Sequence, residues 1–327
     1  MTQTPARINA RINACTLSAA LLFGCGGGGS SQDPDSLSNE SAAGYAANAS
    51  VVGSDATSAL DAALLTTSDL AGAAGAAPNA AADRKRALAF SSGALACAGG
   101  GTATLSITNA TTPADELNGR LDAGEVYAAS FTGCRRVAGG PALNGSLAMT
   151  VDSTTTNGAT VTFSTSTLTV TLPRGSLAFN GSATVQRGVS AANGGSTVST
   201  HVSAASLAVT TQFNGRSGQF TLSNVDLTRQ ASYVDTVLQS AVYSGSHTLT
   251  AVLPNLSYSY SVATQGGTGF GADGLPTQGG WRITLPRRWI DITVAGGVVT
   301  IAIDEGKNGS VDRSFTIPVA ELGSGAG

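Results

Sequence analysis

The segment from Asp304 to Asp312 has the residue types of a calcium-binding loop. Asp304, Asn308 and Gly309 fit the first, fifth and sixth positions of the pattern Asp-x-[Asp/Asn]-x-[Asp/Asn]-Gly, in which side-chain oxygens bind the ion and glycine allows a sharp turn. The third and twelfth positions hold glycine and phenylalanine, so two expected oxygen ligands are missing. A plain hairpin turn explains the same residues. Calcium at Asp304, Asn308 and Asp312 is therefore one of two hypotheses.

A second candidate site contains both tryptophans of the chain, each beside an arginine. Its residues are Trp281, Arg282, Arg287, Arg288 and Trp289. Tryptophan and arginine are enriched in binding hot spots, and exposed aromatic rings combine apolar area with a polar group. This cluster could form a platform for sugars or peptides. The alternative is a core tryptophan beside solvated arginines.

The residues needed for nucleophilic hydrolysis are scarce. A catalytic triad requires a histidine base oriented by a carboxylate. The chain has two histidines, His201 and His247, both in strand-like Ser/Thr-rich stretches and without a Gly-x-Ser-x-Gly elbow. Adjacent acids such as Asp304 and Glu305 would point to opposite faces of a strand. The sequence therefore predicts no catalytic residue, although residues from distant strands could converge in a hydrolase.

Most of these candidates lie in segments with the periodicity of β-strands. From about Ala87 onward, apolar residues alternate with threonine and serine, which is typical of antiparallel strands with one buried face. Asn-Gly pairs, which favour tight hairpin turns, separate many of the runs. They occur at 118–119, 144–145, 157–158, 180–181, 193–194, 214–215 and 308–309. We predict an all-β fold in which an antiparallel meander forms a curved sheet, an open barrel or a sandwich.

The composition divides the 327 residues into four regions. We predict a signal peptide over 1–24 and a flexible Ala/Gly/Ser-rich linker over 25–86, with a possible short helix near Leu60. The all-β domain is expected over 87–321 and a flexible tail over 322–327. The formal net charge of −3 provides no basic patch for nucleic acid. The 42% of hydrophobic residues argues against a wholly disordered chain.

The N-terminal region has the pattern of an export signal. Two arginines precede a mildly apolar stretch over 12–24, which is too short to cross a bilayer but suits a secretory signal. The sequence Leu22-Phe23-Gly24-Cys25 resembles the lipobox of bacterial lipoproteins, apart from Phe23, which stands where a small residue is usual. The alternative is an ordinary secretory signal with an incidental cysteine.

The lipobox resemblance implies cleavage before Cys25, a diacylglycerol on its sulfur and an acyl chain such as palmitate on its new amine. Several acyl chains bind a membrane firmly, whereas one chain binds marginally. Gly26 stands where an aspartate would imply retention at the inner membrane, so the resemblance implies an outer-membrane destination. The glycine run over 26–29 suits a flexible, solvated tether. The whole layout is similar to uncharacterised all-β lipoproteins of β-proteobacteria, and this resemblance implies no particular activity.

Cysteine usage agrees with export. Cys15 lies in the predicted signal peptide and Cys25 is the predicted lipid site, which leaves Cys97 and Cys134. In an oxidising compartment such a pair most simply forms one disulfide. A metal site would need further ligands, and neither histidine has ligand spacing to a cysteine.

These features predict an outer-membrane lipoprotein, facing the periplasm or the cell surface, with a non-catalytic structural or binding role in the cell envelope. Its partners would be the membrane, through the lipid anchor, and an unknown envelope ligand or protein. The first alternative is a carrier of lipid or another apolar ligand in the curved sheet. The second is an envelope hydrolase. A large apolar concavity would favour the carrier, and a buried acid or histidine with a partner in a polar cleft would favour the hydrolase.

Overall fold

The computed structural model describes residues 37–76, 89–91, 94–109, 121–172, 175–192, 194–213, 216–234, 237–253, 256–271 and 274–324. The predicted signal peptide over 1–24, the lipid site Cys25 and the Asn-Gly pair at 118–119 lie outside the described residues.

Sixteen strands form one antiparallel sheet in the described part of the chain. They are β1 (Ala89–Ser91), β2 (Leu95–Ala96), β3 (Thr102–Asn109), β4 (Glu125–Arg135), β5 (Ala142–Thr155), β6 (Gly158–Leu172), β7 (Gly175–Ala192), β8 (Gly195–Phe213), β9 (Arg216–Val234), β10 (Val237–Leu253), β11 (Leu256–Thr264), β12 (Thr268–Phe270), β13 (Pro276–Thr284), β14 (Trp289–Ala295), β15 (Val298–Asp304) and β16 (Arg313–Pro318). Within the described residues, two α-helices flank these strands in the chain, α1 (Asn39–Ala76) and α2 (Val319–Ser324).

The strand order is that of a meander. Each strand from β3 to β11, and again from β13 to β16, pairs with the next one along the chain. The short strands β2 and β12 lie beside this path, where β2 pairs with β3, and β12 pairs with β10 and β13. The hydrogen-bonded order begins at β1 and ends at β16, so the sheet is open. The predicted all-β antiparallel meander is confirmed.

Alternating burial along the strands explains why this sequence forms a sheet. In β4, Tyr127, Ala129 and Phe131 are buried, whereas Ala128 and Ser130 are exposed. Successive side chains of a strand point to opposite faces, so one face of the sheet is apolar and the other carries small polar side chains.

The Asn-Gly pairs have two structural roles. The turn at Asn157 joins β5 to β6, as predicted, because Thr155 pairs with Gly158. Gly145 and Gly181 instead lie inside β5 and β7, at register shifts that mark β-bulges. Gly145 has a φ of +91°, and a Cβ there would lie 2.1 Å from the Thr167 carbonyl oxygen. The turns predicted at these two pairs are wrong because the long strands need positive-φ positions at their bulges.

Helix α1 lies against the apolar face of the sheet and contacts strands from β3 to β15. All six residues from 42 to 47 are buried. Since successive helical residues are about 100° apart, six buried neighbours cover every side of the helix. A flat sheet would cover one side only, so the sheet curves around α1.

The prediction of a flexible linker with a short helix is wrong over 39–76, where the structure has a 38-residue helix. It begins with a cap in which the Ser41 backbone N–H donates to the Ser38 hydroxyl at 3.1 Å. The segment lacks a broad polar stripe because most of its described side chains are buried, and the partly or fully exposed ones over 58–69 form only a narrow row. Its small side chains also resemble those of a linker. Helix α2 likewise corrects the predicted tail, because Leu322 is buried in the core.

Candidate functional site

The structure places the predicted calcium ligands in the hairpin loop between β15 and β16. The backbone N–H groups of three loop residues donate to the Asp304 carboxylate at 2.8–3.2 Å. Burial opposes ionisation of Asp304, but these N–H groups outweigh it and lower the pKa of its carboxyl group below the usual value. The side-chain oxygens of Asn308 and Asp312 also accept loop N–H groups, each at 2.8 Å.

These hydrogen bonds favour the hairpin-turn hypothesis over calcium. Side-chain oxygens of Asp and Asn that accept backbone N–H groups of their own loop close a turn without any ion. Across the described residues, no three His, Cys, Asp or Glu side chains are grouped so that they could hold a metal ion. Asp304, Asn308 and Asp312 thus stabilise the turn, and a calcium site at these residues stays a prediction.

The predicted tryptophan–arginine site is divided between two faces of the sheet. Trp281 is buried against α1. Arg282, the next residue, points to the outer face, where its guanidinium lies 4.5 Å from the centroid of the Trp289 ring. Two hydrogen bonds, of 2.7 and 2.8 Å, also join Arg282 to Asp291. The arginine thus covers the ring that a ligand would use.

The other two arginines of this cluster lie in the turn between β13 and β14. Arg288 forms an ion pair with Glu305 at 3.1 Å, and Arg287 is exposed. The five predicted residues therefore do not form one binding platform. Trp281 is a core residue, as the alternative interpretation of the sequence expected.

The two histidines lie on opposite faces of the sheet. His201 is on the outer face, where its Nε2 lies 2.7 Å from Oδ1 of Asp226, a residue that is itself well exposed. His247 is buried in β10 and faces α1. A shared triad is therefore excluded.

A buried polar cluster centres on Asp61 of α1. Its Oδ1 accepts hydrogen bonds from Arg187 Nε at 3.2 Å and from the Thr200 hydroxyl at 3.0 Å. Arg229 Nη1 lies 3.8 Å from the other carboxylate oxygen. The side chains of Asp61 and Arg229 are each 7% exposed. Two guanidinium groups from β7 and β9 thus compensate one buried charge on the helix, which ties α1 to the sheet.

Arg229 extends this cluster to aromatic side chains. Its Nη2 donates to the Tyr233 hydroxyl at 3.4 Å, and its guanidinium lies 6.0 Å from the centroid of the Tyr243 ring. The Tyr243 hydroxyl lies 2.5 Å from the Ser58 hydroxyl of α1. Burial by itself would lower the pKa of Arg229, but the two tyrosines and the carboxylate raise it above the usual value.

These residues line a cleft of about 300 Å³ between α1 and the sheet. The volume lies at the lower end of the range of small-molecule sites. The polar wall comes from Asp55, Asp61, Arg229 and Tyr243, and the apolar wall includes aliphatic and aromatic side chains such as Phe270. The cleft therefore combines an apolar surface with a few convergent polar groups.

The polar groups of this cleft are engaged with one another. Among the described residues, its lining contains neither histidine nor cysteine. The Asp61 carboxylate is engaged by two arginines and by the Thr200 hydroxyl. The hydroxyl of Ser54 donates to the Ser50 carbonyl at 2.9 Å, and that of Ser58 is paired with tyrosine. Neither serine has the adjacent base that activates a nucleophile.

Sequence reasoning missed Asp61, Arg187 and Arg229. The signal that could have indicated them was the charge itself, because aspartates at 55 and 61 are unusual in an Ala-rich helical segment. Their partners are more than a hundred residues away in the chain, and local patterns cannot reveal such pairs.

His247 gives the fold a predicted sensitivity to acid. Burial, without a compensating charge, lowers the pKa of His247 to about 4. The imidazole of the unfolded chain, with a pKa of about 6.5, takes up a proton first, so stability is lost as the pH falls from about 6.5 to about 4. We expect this histidine to account for a loss of about 3 kcal/mol over that range.

Chemical denaturation across this pH range, on the wild type and on His247→Phe, would measure this loss. The variant should lose about 3 kcal/mol less than the wild type. The matched control is His201→Phe, which removes the histidine of the outer face, leaves His247 in place and should retain the loss that is due to His247. If the free energy of unfolding of the wild type and of His247→Phe changed equally with pH, the prediction would be wrong.

Comparison with protein-family models, with curated proteins and with solved structures finds no match to this chain. Among the described residues, neither helix is both long and apolar enough to cross a membrane.

Proposed function

We propose that this chain is an outer-membrane-anchored lipoprotein whose all-β domain has a non-catalytic binding role in the cell envelope. The anchor is Cys25, as the lipobox resemblance implies. Thirteen residues lie between Cys25 and Asn39, where α1 begins, so the fourteen Cα–Cα steps span at most about 50 Å when fully extended. The domain would act close to the membrane surface.

The cleft between α1 and the sheet is the observation that carries the binding role. It offers about 300 Å³ lined by polar and apolar groups, and its charged side chains engage one another without an activated nucleophile. The carrier alternative requires a large apolar concavity. Because α1 fills the concave face of the sheet, a lipid carrier would first have to release this helix, and the ion pairs of Asp61 oppose that release.

Native mass spectrometry of Cys25→Ser, expressed with its signal and purified without detergent, tests this proposal. We expect the variant to lack covalent lipid and to be released from the membrane fraction, because the acyl chains supply the membrane affinity. We also expect a reproducible extra mass that disappears on denaturation, which is the ligand of the cleft. Cys15→Ser is the matched control and should keep both the lipid mass and the membrane association.

Two outcomes would overturn different parts of the proposal. Covalent lipid on Cys25→Ser would exclude this cysteine as the anchor. A bare mass, short by two hydrogens for the disulfide, would replace the binding role with a structural one.

A further inference from the structure

A second, smaller cavity lies between α1 and strands β10, β11 and β13. Its volume is about 40 Å³. The helix contributes Ser50 and Ser54 to its wall, and the strands contribute His247 and Trp281 together with apolar side chains. Tyr243 lines both this cavity and the cleft, so the two spaces adjoin.

Two side chains in this wall have polar atoms with no partner from the protein. Both ring nitrogens of His247 and the indole Nε1 of Trp281 are buried, and no described protein group lies within hydrogen-bond distance of them. Each residue is only 3% exposed. Buried donors and acceptors that stay unpaired cost about 1–3 kcal/mol each, so native structures almost always satisfy them.

We propose that this cavity is a binding site for water, which holds two or three molecules that bridge His247 and Trp281. A water molecule needs about 10–15 Å³ of such space and two to four polar partners. The cavity has room for this number, and the histidine and indole nitrogens with the surrounding hydroxyl groups supply the partners.

The chemistry of the wall selects water over other small ligands. Neutral histidine presents one donor and one acceptor, and tryptophan presents one donor. Their common ligand must therefore both accept and donate hydrogen bonds. Among the described residues, the wall contains no carboxylate, arginine or lysine that would bind an ion. An apolar guest would leave three polar atoms unpaired, and the small volume excludes larger polar molecules.

Magnetisation transfer from water, measured by nuclear magnetic resonance on the full chain, tests the site. The chain has two histidines and two tryptophans, so labelling these residue types gives few signals, and the variants His201→Gln and Trp289→Phe assign them. We expect the carbon-bound ring protons of His247 and the indole proton of Trp281 to show through-space transfer from long-lived water. The Trp289 indole, on the outer face, is the control for short-lived surface water.

The absence of transfer from water to both His247 and Trp281 would overturn the proposal. The same sample under xenon pressure then identifies the alternative. A dry cavity binds xenon and shifts both ring signals, whereas a hydrated cavity leaves them unchanged.

Discussion

Replacing Asp61 with asparagine is expected to lower the free energy of unfolding by about 3–5 kcal/mol. The variant keeps the shape of the side chain and an oxygen for the Thr200 hydroxyl, but it removes the charge that compensates Arg187 and Arg229. Arg229 would then be a buried cation without its carboxylate, which is the costly way to break a buried ion pair. Urea denaturation followed by circular dichroism measures the loss.

Asp69→Asn is the matched control for this variant. Asp69 also lies on α1 and pairs with an arginine, Arg136, but these side chains are 52% and 46% exposed. Exposed pairs contribute about 0–1 kcal/mol, so the control should remain close to the wild type. A second comparison uses Asp61→Leu combined with Arg229→Met, which removes both charges and should recover part of the lost stability.

Equal losses for the two asparagine variants would contradict the assigned role of Asp61. The charge cluster would then contribute no more than a surface pair, and apolar packing alone would hold α1 in the sheet. If the double variant lost as much free energy of unfolding as Asp61→Asn, the loss would come from altered packing around α1 and not from the uncompensated arginine.

The β architecture could be predicted from the sequence because its signal is local. Alternation of apolar and polar residues reports which face of a strand is buried, and this pattern is clear in strands such as β4 and β14. The role of an Asn-Gly pair does not follow from its two residues, because Gly145 and Gly181 have positive φ at bulges, whereas Asn157 lies in a turn and Gly158 begins β6, both without positive φ.

Helix α1 could not be predicted because its environment is set by the sheet. Helices at a protein surface show an apolar stripe, but α1 is enclosed, and its alanines and serines resemble a linker. Helix α1 forms one wall of the candidate cleft, so a sequence pattern that does not reveal the helix cannot reveal the cleft. The loop over 304–312 and the two tryptophans contain residue types that often bind ligands. In the structure, the loop residues form a turn and the tryptophans pack against other side chains.

The disulfide pairing is a sequence prediction that the structure confirms, because Cys97 is bonded to Cys134. The count of cysteines sufficed here, since only two remain after the predicted signal peptide and lipid site. The bond joins the segment after β2 to β4, next to hydrogen bonds between Arg135 and the glycine turn at 99–100. This part of the sheet lies near its first edge, where fewer strands contribute to stability.

Replacing both cysteines with alanine is expected to lower the free energy of unfolding by about 4 kcal/mol. The bond closes a loop over a sequence separation of 37 residues, and its loss gives the unfolded chain more conformational freedom. Urea denaturation should detect this loss in a Cys25→Ser background, where no lipid interferes. The protein with both cysteines, measured under reducing conditions, is the matched comparison, and its free energy of unfolding should fall by a similar amount. The stability of the double alanine variant should not change when reductant is added. If the oxidised and alanine forms unfold at the same urea concentration, the native contacts of β2 to β4 hold this edge without the covalent bond, and the predicted contribution is wrong.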